Sequence, residues 1–281
     1  MSGGDQGILQ ETIAGIQAVL GEKLDEIEVE RVVIGLFFTG IKLNNGDGGL
    51  CFTPIKTIPQ AVCCPSSARA MPSSGKFKGK KVKKVLEEMF SGNSLKKAIG
   101  IAAINALSST CWGIRPPRDY VIKQRVDPVD EIEIPGDAEV VIVGALAPYI
   151  KMFKKRGQSF TILEIDPATL KADEMKHFRP AQDAPEIVPQ ADVLIITGTT
   201  LINDTLDQLL SLAKPEATVI VVGLTASMLP EAFFQRGVTS IGGVAVTEPD
   251  GLLDIISEAG SGYHFFEKSA ERVVISRDKP S

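Results

Sequence analysis

No apolar stretch in this sequence approaches the roughly 18 residues that a membrane-spanning helix requires. The amino terminus presents acidic and amide side chains where a secretory signal would need a basic region ahead of an apolar one. A cytoplasmic location with no membrane partner is therefore the expectation. A basic excess is also missing: 30 Lys and Arg stand against 35 Asp and Glu, a net charge of −5, which provides no broad field for capturing nucleic acid. Histidine is scarce. His177 and His264 are the only two, neither has a second histidine at metal-ligand spacing, and no serine sits in a nucleophile elbow. Zincin and triad-hydrolase chemistry are thereby unsupported. The four cysteines, Cys51, Cys63, Cys64 and Cys111, show no CxxC spacing, which argues against a zinc knuckle and for free thiols in a reducing compartment. The G-x-G-x-x-G loop is absent too, and with it the glycines that admit a pyrophosphate, so an ordinary dinucleotide pocket is not expected.

What is present is a soluble globular balance, 44% hydrophobic and 23% charged over 281 residues, with length enough for two cores. In the second half, four short β-branched runs end on glycine: Val140 to Gly144, Val193 to Gly198, Val219 to Gly223 and Thr239 to Gly243. Continuous apolar runs of this kind read as buried parallel strands, and the helical segments between them predict an α/β fold with a doubly wound, mostly parallel sheet. The Pro-rich segment 113–136 predicts a linker between a first domain at 1–112 and a second at 137–281.

The first half reads as an α+β unit. A helix is expected from Gln6 to Leu20, then a hairpin in which Val29 to Thr39 and Leu50 to Thr53 flank a turn at Asn44 to Gly49. Ile58 to Gly75 is rich in Pro and Ser and predicts a loop. Two helices follow, about Lys80 to Phe90 and Leu95 to Leu107, the second capped by Asn93 and apolar on nearly every face. Asn105 interrupts it; a buried amide must find partners, so it either ties down a neighbouring loop or faces a cleft. The lysines around Lys80 read as a solvated face with Lys83–Glu87 and Lys84–Glu88 pairs rather than as an anion site.

Candidate site residues collect at the strand ends of the second half. Gly144 ends the first strand and Pro148 can start the helix after it. Glu164 and Asp166 close the second strand about 20 residues on, where a nucleotide-binding sheet places a carboxylate for ribose hydroxyls. The alternative is an ordinary acidic strand end at solvent. Thr199, Thr200 and Asn203 follow the third strand, and Thr225 the fourth; each can serve an anionic ligand or simply cap a turn. Cys63, beside Cys64, is the candidate metal ligand, since soft ions prefer thiolate.

The segments RVVIGLFFTGIKL, GGLCFT, SGNSLKKAIGIAAINAL, EVVIVGALAPYI, LIITGTTLINDTLDQLL and VVGLTASMLPEAFFQRGVTSIGG together resemble a bacterial and archaeal family described as putative heavy-metal chelation. The resemblance covers nearly the whole chain. It implies an enolase N-terminal-like domain followed by a Rossmann-like domain, with a site in the groove between them. Carried over by position, that groove would be lined by Thr39, Cys63, Asn93, Gly144, Pro148, Glu164, Thr199, Thr200, Asn203 and Thr225. The function it implies is binding or processing of a metal ion or a metal-chelating small molecule. The competing readings are an enzyme using an adenosine-containing cofactor such as S-adenosylmethionine, motivated by Glu164, and a sensing module without chemistry. A homo-oligomer is compatible with the sequence, which does not fix the oligomeric state.

Overall fold

In the computed structural model, residues 7–57 and 73–277 are described. The amphipathic helix α1 (Ile8–Leu20) buries Ile8, Leu9, Ile16 and Leu20 and stops at Gly21, and the short α2 (Lys23–Glu26) follows. Three antiparallel strands come next, β1 (Val29–Ile34), β2 (Phe38–Leu43) and β3 (Gly48–Phe52), in the order β1-β2-β3. The expected single strand from Val29 to Thr39 is thus two strands. The break has a local cause: the Gly35 N–H turns back to the Phe38 carbonyl at 2.9 Å, and a Cβ at Gly35 would sit 2.2 Å from the Ile256 carbonyl oxygen, so neighbouring backbone occupies the path of a straight strand.

The basic cluster leads into helix α3 (Val82–Glu88), and its Lys80, Lys81, Lys83 and Lys84 pair with Glu88, Glu28, Asp25 and Glu87, not in the expected Lys83–Glu87 and Lys84–Glu88 pairs. The longest element is α4 (Ser94–Ile114), in which every residue from Lys97 to Ser108 is buried. A helix apolar all round must be enclosed. One neighbour is β3, which lies directly on its backbone at Gly49: a Cβ there would meet the Ala102 carbonyl oxygen at 2.0 Å and the Ala106 nitrogen at 2.6 Å. Another is the larger sheet's loop at 224–226, reached by the Asn105 amide, which donates to the carbonyls of Leu50 (2.6 Å), Leu224 (3.0 Å) and Thr225 (3.2 Å). Asn105 therefore ties the two sheets to one helix.

The larger sheet has eight strands in the order β4-β11-β10-β9-β8-β5-β6-β7. They are β4 (Tyr120–Gln124), β5 (Val140–Val143), β6 (Thr161–Glu164), β7 (Phe178–Pro180), β8 (Val193–Thr197), β9 (Thr218–Val222), β10 (Val238–Val246) and β11 (Ala270–Arg277). All pairings from β10 to β7 are parallel; β10–β11 and β11–β4 are antiparallel. The α/β class with a mostly parallel sheet agrees with the sequence. Residues 113–136, expected as a linker, contribute β4 to the edge of this sheet. Of the four expected glycine-ended strands, the last runs on: β10 continues through Gly242 and Gly243 to Val246, paired with β11. Glycine inside a strand marks close approach of other groups. Here the groups are Pro128, 2.7 Å from a Cβ placed on Gly242, and Ser227, 2.9 Å from one placed on Gly243.

Helices α5 (Ala147–Arg156), α6 (Ala184–Ile187), α7 (Leu206–Leu212), α8 (Glu231–Gln235), α9 (Pro249–Ser257) and α10 (Gly262–Phe265) complete the chain. One cluster of buried side chains runs from Ile8 in α1 through α4 and the sheet to Ile275 in β11, and a second, around Phe153, Phe160 and Ile162, includes sheet residues such as Ile142 and Ile195. Arg236, just after α8, clasps α1 to the start of α7: its Nη1 and Nη2 donate to the two Glu11 oxygens at 2.9 and 2.8 Å, and its Nε lies 2.7 Å from Asp207. Among the described residues no helix is long and apolar enough to cross a membrane.

Candidate functional site

Strand order reverses between β5 and β8, since the chain steps from β5 outward through β6 and β7 on one side and through β8, β9 and β10 on the other. In open α/β sheets such a switch point leaves a crevice beyond the carboxyl ends of the strands. The two strand ends are fitted closely there. Gly144 has φ +99°, and a Cβ on it would meet the Thr197 methyl at 2.8 Å, so only glycine suits the position. Past β8 the chain makes a tight turn held by hydroxyls: Thr197 Oγ1 lies 3.1 Å from Thr199 Oγ1, and Thr200 Oγ1 donates to the Thr197 carbonyl at 2.7 Å. Thr205 Oγ1 donates to Asn203 Oδ1 at 2.7 Å. Thr197 and Thr199 are shared by two cavities, of about 240 and 610 Å³.

The smaller cavity gathers five of the expected residues, Gly144, Glu164, Thr199, Thr200 and Asn203, over an apolar floor that includes Leu209 and Leu212. Glu164 is folded back on its own strand end, where Oε1 accepts the N–H groups of Ile165 (2.7 Å) and Asp166 (3.0 Å). Asp166 is outside this cavity: it caps the turn at Ala168 (3.0 Å) and pairs with Lys56, which with that backbone bond holds its carboxyl below the usual range.

The larger cavity lies between the two sheets. Phe38 and Phe52 form its wall on the smaller sheet, and Thr197, Thr199 and Thr225 lie on the opposite side. Of the expected residues it takes in Pro148, Thr199 and Thr225; the Thr225 hydroxyl accepts the Phe52 N–H at 3.2 Å and so bridges the sheets. Sequence reasoning missed the polar part of this wall: the charged Arg125, Asp127, Asp130 and Arg272 with the neutral Tyr149, beside Phe266. Tyr149 donates to both oxygens of Asp127 at 3.0 and 3.1 Å, and Asp127 also accepts the Val129 N–H at 3.0 Å. Burial pushes the Tyr149 phenol far above its ordinary value and the Asp127 charge adds to the effect, so it stays a donor throughout the physiological range. One signal was legible, the Asp127-Pro128 pair, which reads as a turn cap.

Three expected residues line neither cavity. Thr39 is buried with its hydroxyl 2.9 Å from that of Thr53, Asn93 caps α4 by accepting the Lys96 N–H at 2.9 Å, and Asp166 sits as described above. Cys63 lies outside the described residues, as does Cys64. Both histidines are structural: His177 stacks on Phe160 at 4.0 Å and bonds its carbonyl, and His264 caps its own turn through Ser261.

Cys51 and Cys111 are free and buried. Burial pushes the Cys51 thiol up despite a hydrogen bond with Thr225, and burial with the nearby charges of Glu231 and Asp47 pushes Cys111 up to about 12. The thiolate is the reactive form, so burial keeps both as unreactive thiols near neutral pH. In a chain carrying C63S and C64S, these two are expected to resist a thiol reagent at pH 7.5 and to react at once in denaturant; rapid labelling of the folded protein would contradict their burial. Among the described residues no group of three or more His, Cys, Asp and Glu side chains is placed to hold an ion.

Two family models, both described as putative heavy-metal chelation, match residues 18–108 and 127–275 of the chain. An uncharacterized protein of Methanocaldococcus jannaschii is 30% identical over 202 residues, which is 68% of this chain and 72% of that protein. Two crystal structures of proteins of unknown function share the fold. One, from Pyrococcus horikoshii, has a TM-score of 0.73 at 19% identity, covering 96% of this chain and 99% of its own. The other, from Desulfitobacterium hafniense, has a TM-score of 0.69 at 20% identity, covering 97% and 99%.

Proposed function

This chain belongs to the family described as putative heavy-metal chelation, and from that membership we propose that it binds a metal complex of an organic chelator, rather than a bare soft ion, in the cavity between its two sheets. The observation that carries the reading is the make-up of that cavity. Its roughly 610 Å³ falls in the range of small-molecule sites. Its walls combine aromatic faces with oxygen donors and guanidinium groups, a set suited to an organic ligand with hard charged groups and poor for a naked soft cation. Asp127 is engaged by Tyr149 and Val129, whereas Asp130 has no ion-pair partner among the described residues and is the carboxylate available to an incoming complex.

The second reading, an enzyme using an adenosine-containing cofactor, draws support from the smaller cavity, where Glu164 ends β6 beside an apolar floor. A thermal-shift panel separates the two. Nickel chloride, metal-free citrate, ferric citrate, adenosine and S-adenosylmethionine are each added to the apoprotein. On the first reading ferric citrate raises the midpoint and nickel chloride does not; at 100-fold above Kd, mass action stabilises by about 2.7 kcal/mol, a rise of roughly 5 °C for a chain of this size. A rise with the adenosine compounds alone would favour the second reading, and silence from the complex would remove the first.

A further inference from the structure

We propose that Arg272 is the anion-recognising residue of the larger cavity and that the ligand carries an oxyanion, a carboxylate or a phosphate, held by its guanidinium. The proposal rests on the reading of that cavity as the ligand site. Arg272 lies on β11 opposite Val244, and both residues line the cavity. Its guanidinium sits over the Phe266 ring, 4.4 Å from the centroid. Stacking on an aromatic face attracts the cation and holds the planar fork in one orientation, so less freedom is lost when it binds.

Glu267 and Glu271 share with Arg272 a second cavity of about 410 Å³, and Asp127 and Asp130 lie with it in the larger one, yet none is its ion-pair partner. Its sequence neighbour Glu271 is taken by Arg125, whose Nη2 and Nε donate to Glu271 Oε1 at 2.7 and 3.3 Å. Asp127 is committed to Tyr149 and the Val129 N–H. No carboxylate among the described residues pairs with Arg272 itself, although 19 such contacts are made elsewhere. Arg125 is also held in place by its backbone: φ is +62°, and its N–H donates to the Arg272 carbonyl at 2.8 Å. A non-glycine residue kept in that conformation is costly and tends to mark a site where geometry matters. What remains is an oriented, unpaired fork in the wall of a cavity, the arrangement that takes a planar oxyanion in two parallel hydrogen bonds.

The test is calorimetric titration of wild type, R272K and R272Q with metal-free citrate, inorganic phosphate, the ferric EDTA anion and neutral ferric acetohydroxamate. Arg272 is exposed, so both variants should fold, with unchanged unliganded melting as the control. Wild type is expected to bind citrate or phosphate, whichever oxyanion the site prefers, and R272Q to bind it about 10- to 100-fold more weakly. R272K should fall between, because it keeps the charge and loses the fork. Affinity for the neutral complex should not move. No binding of any anion by wild type, equal binding by wild type and R272Q, or an equal loss for the neutral complex would overturn the proposal. Citrate or phosphate binding that needs Arg272, with no response to either metal complex, would uphold it and overturn the metal-chelate reading instead.

Discussion

Gly49→Ala is expected to destabilise the fold by about 3 kcal/mol or more, at the upper end of what overpacking usually costs. The added methyl would lie 2.0 Å from the Ala102 carbonyl oxygen and 2.6 Å from the Ala106 nitrogen, both on the backbone of α4. A flexible side chain could swing away; a helix backbone buried on all sides can only shift as a body, and here its shift would also break the Asn105 bonds to both sheets. Gly113→Ala is the matching control, because a Cβ there meets nothing within 4 Å and it lies in the last turn of the same helix. That change should be neutral or stabilising by up to about 1 kcal/mol. Urea unfolding of both variants decides the matter. A loss under about 1 kcal/mol for G49A would mean that β3 does not rest on α4 as described.

The second large effect is expected from Asn105→Asp, and its size should depend on pH. All three acceptors around Asn105 are carbonyl oxygens, which fixes the Nδ2 side of the amide by its surroundings and leaves Oδ1 buried without a partner among the described residues. A carboxylate in that place loses the donors and sets a buried charge against three acceptors, a cost on the order of 4 kcal/mol or more at neutral pH. Burial and those carbonyls raise the folded pKa of the new acid above its unfolded value of about 3.9. At intermediate pH the folded form therefore holds a proton that the unfolded form has lost. Stability relative to wild type must fall as pH rises from about 4, by up to about 1.4 kcal/mol per pH unit, and level off above the folded pKa. Below pH 4 the neutral acid can still donate one bond, so part of the penalty disappears. A difference from wild type that stays flat or shrinks with rising pH would show that Asn105 is not enclosed by these carbonyls.

What could be seen from the residues alone, and what could not, follows a physical division. The β-branched runs at Val140, Val193 and Val219 are buried on both faces, so their apolar character survives in any context and marks β5, β8 and β9 in the structure. Gly144 and the threonines after β8 were legible because a strand end needs glycine and hydroxyls for local reasons. The extension of β10 was hidden because Gly242 and Gly243 look like punctuation until Pro128 and Ser227 are seen packed against them. Asn93 and Thr39 read as site residues, yet their polar groups are satisfied within their own elements or by a neighbour on the same sheet. The polar wall of the larger cavity was invisible for a further reason: Arg125 and Arg272, 147 positions apart, are brought together at the sheet edge where β4 pairs with β11, and Tyr149 reaches Asp127 from α5.

The unbroken core from Ile8 to Ile275 has a bearing on how a guest would arrive. With α4 clamped between both sheets, a jaw-like swing of one about the other would have to tear open apolar packing and the Asn105 bonds. On the proposed reading, the walls of the larger cavity would accordingly be set before a ligand enters. Binding there would then need little ordering of the chain, and selectivity would rest on the outline and charge of a standing vessel rather than on closure around the ligand.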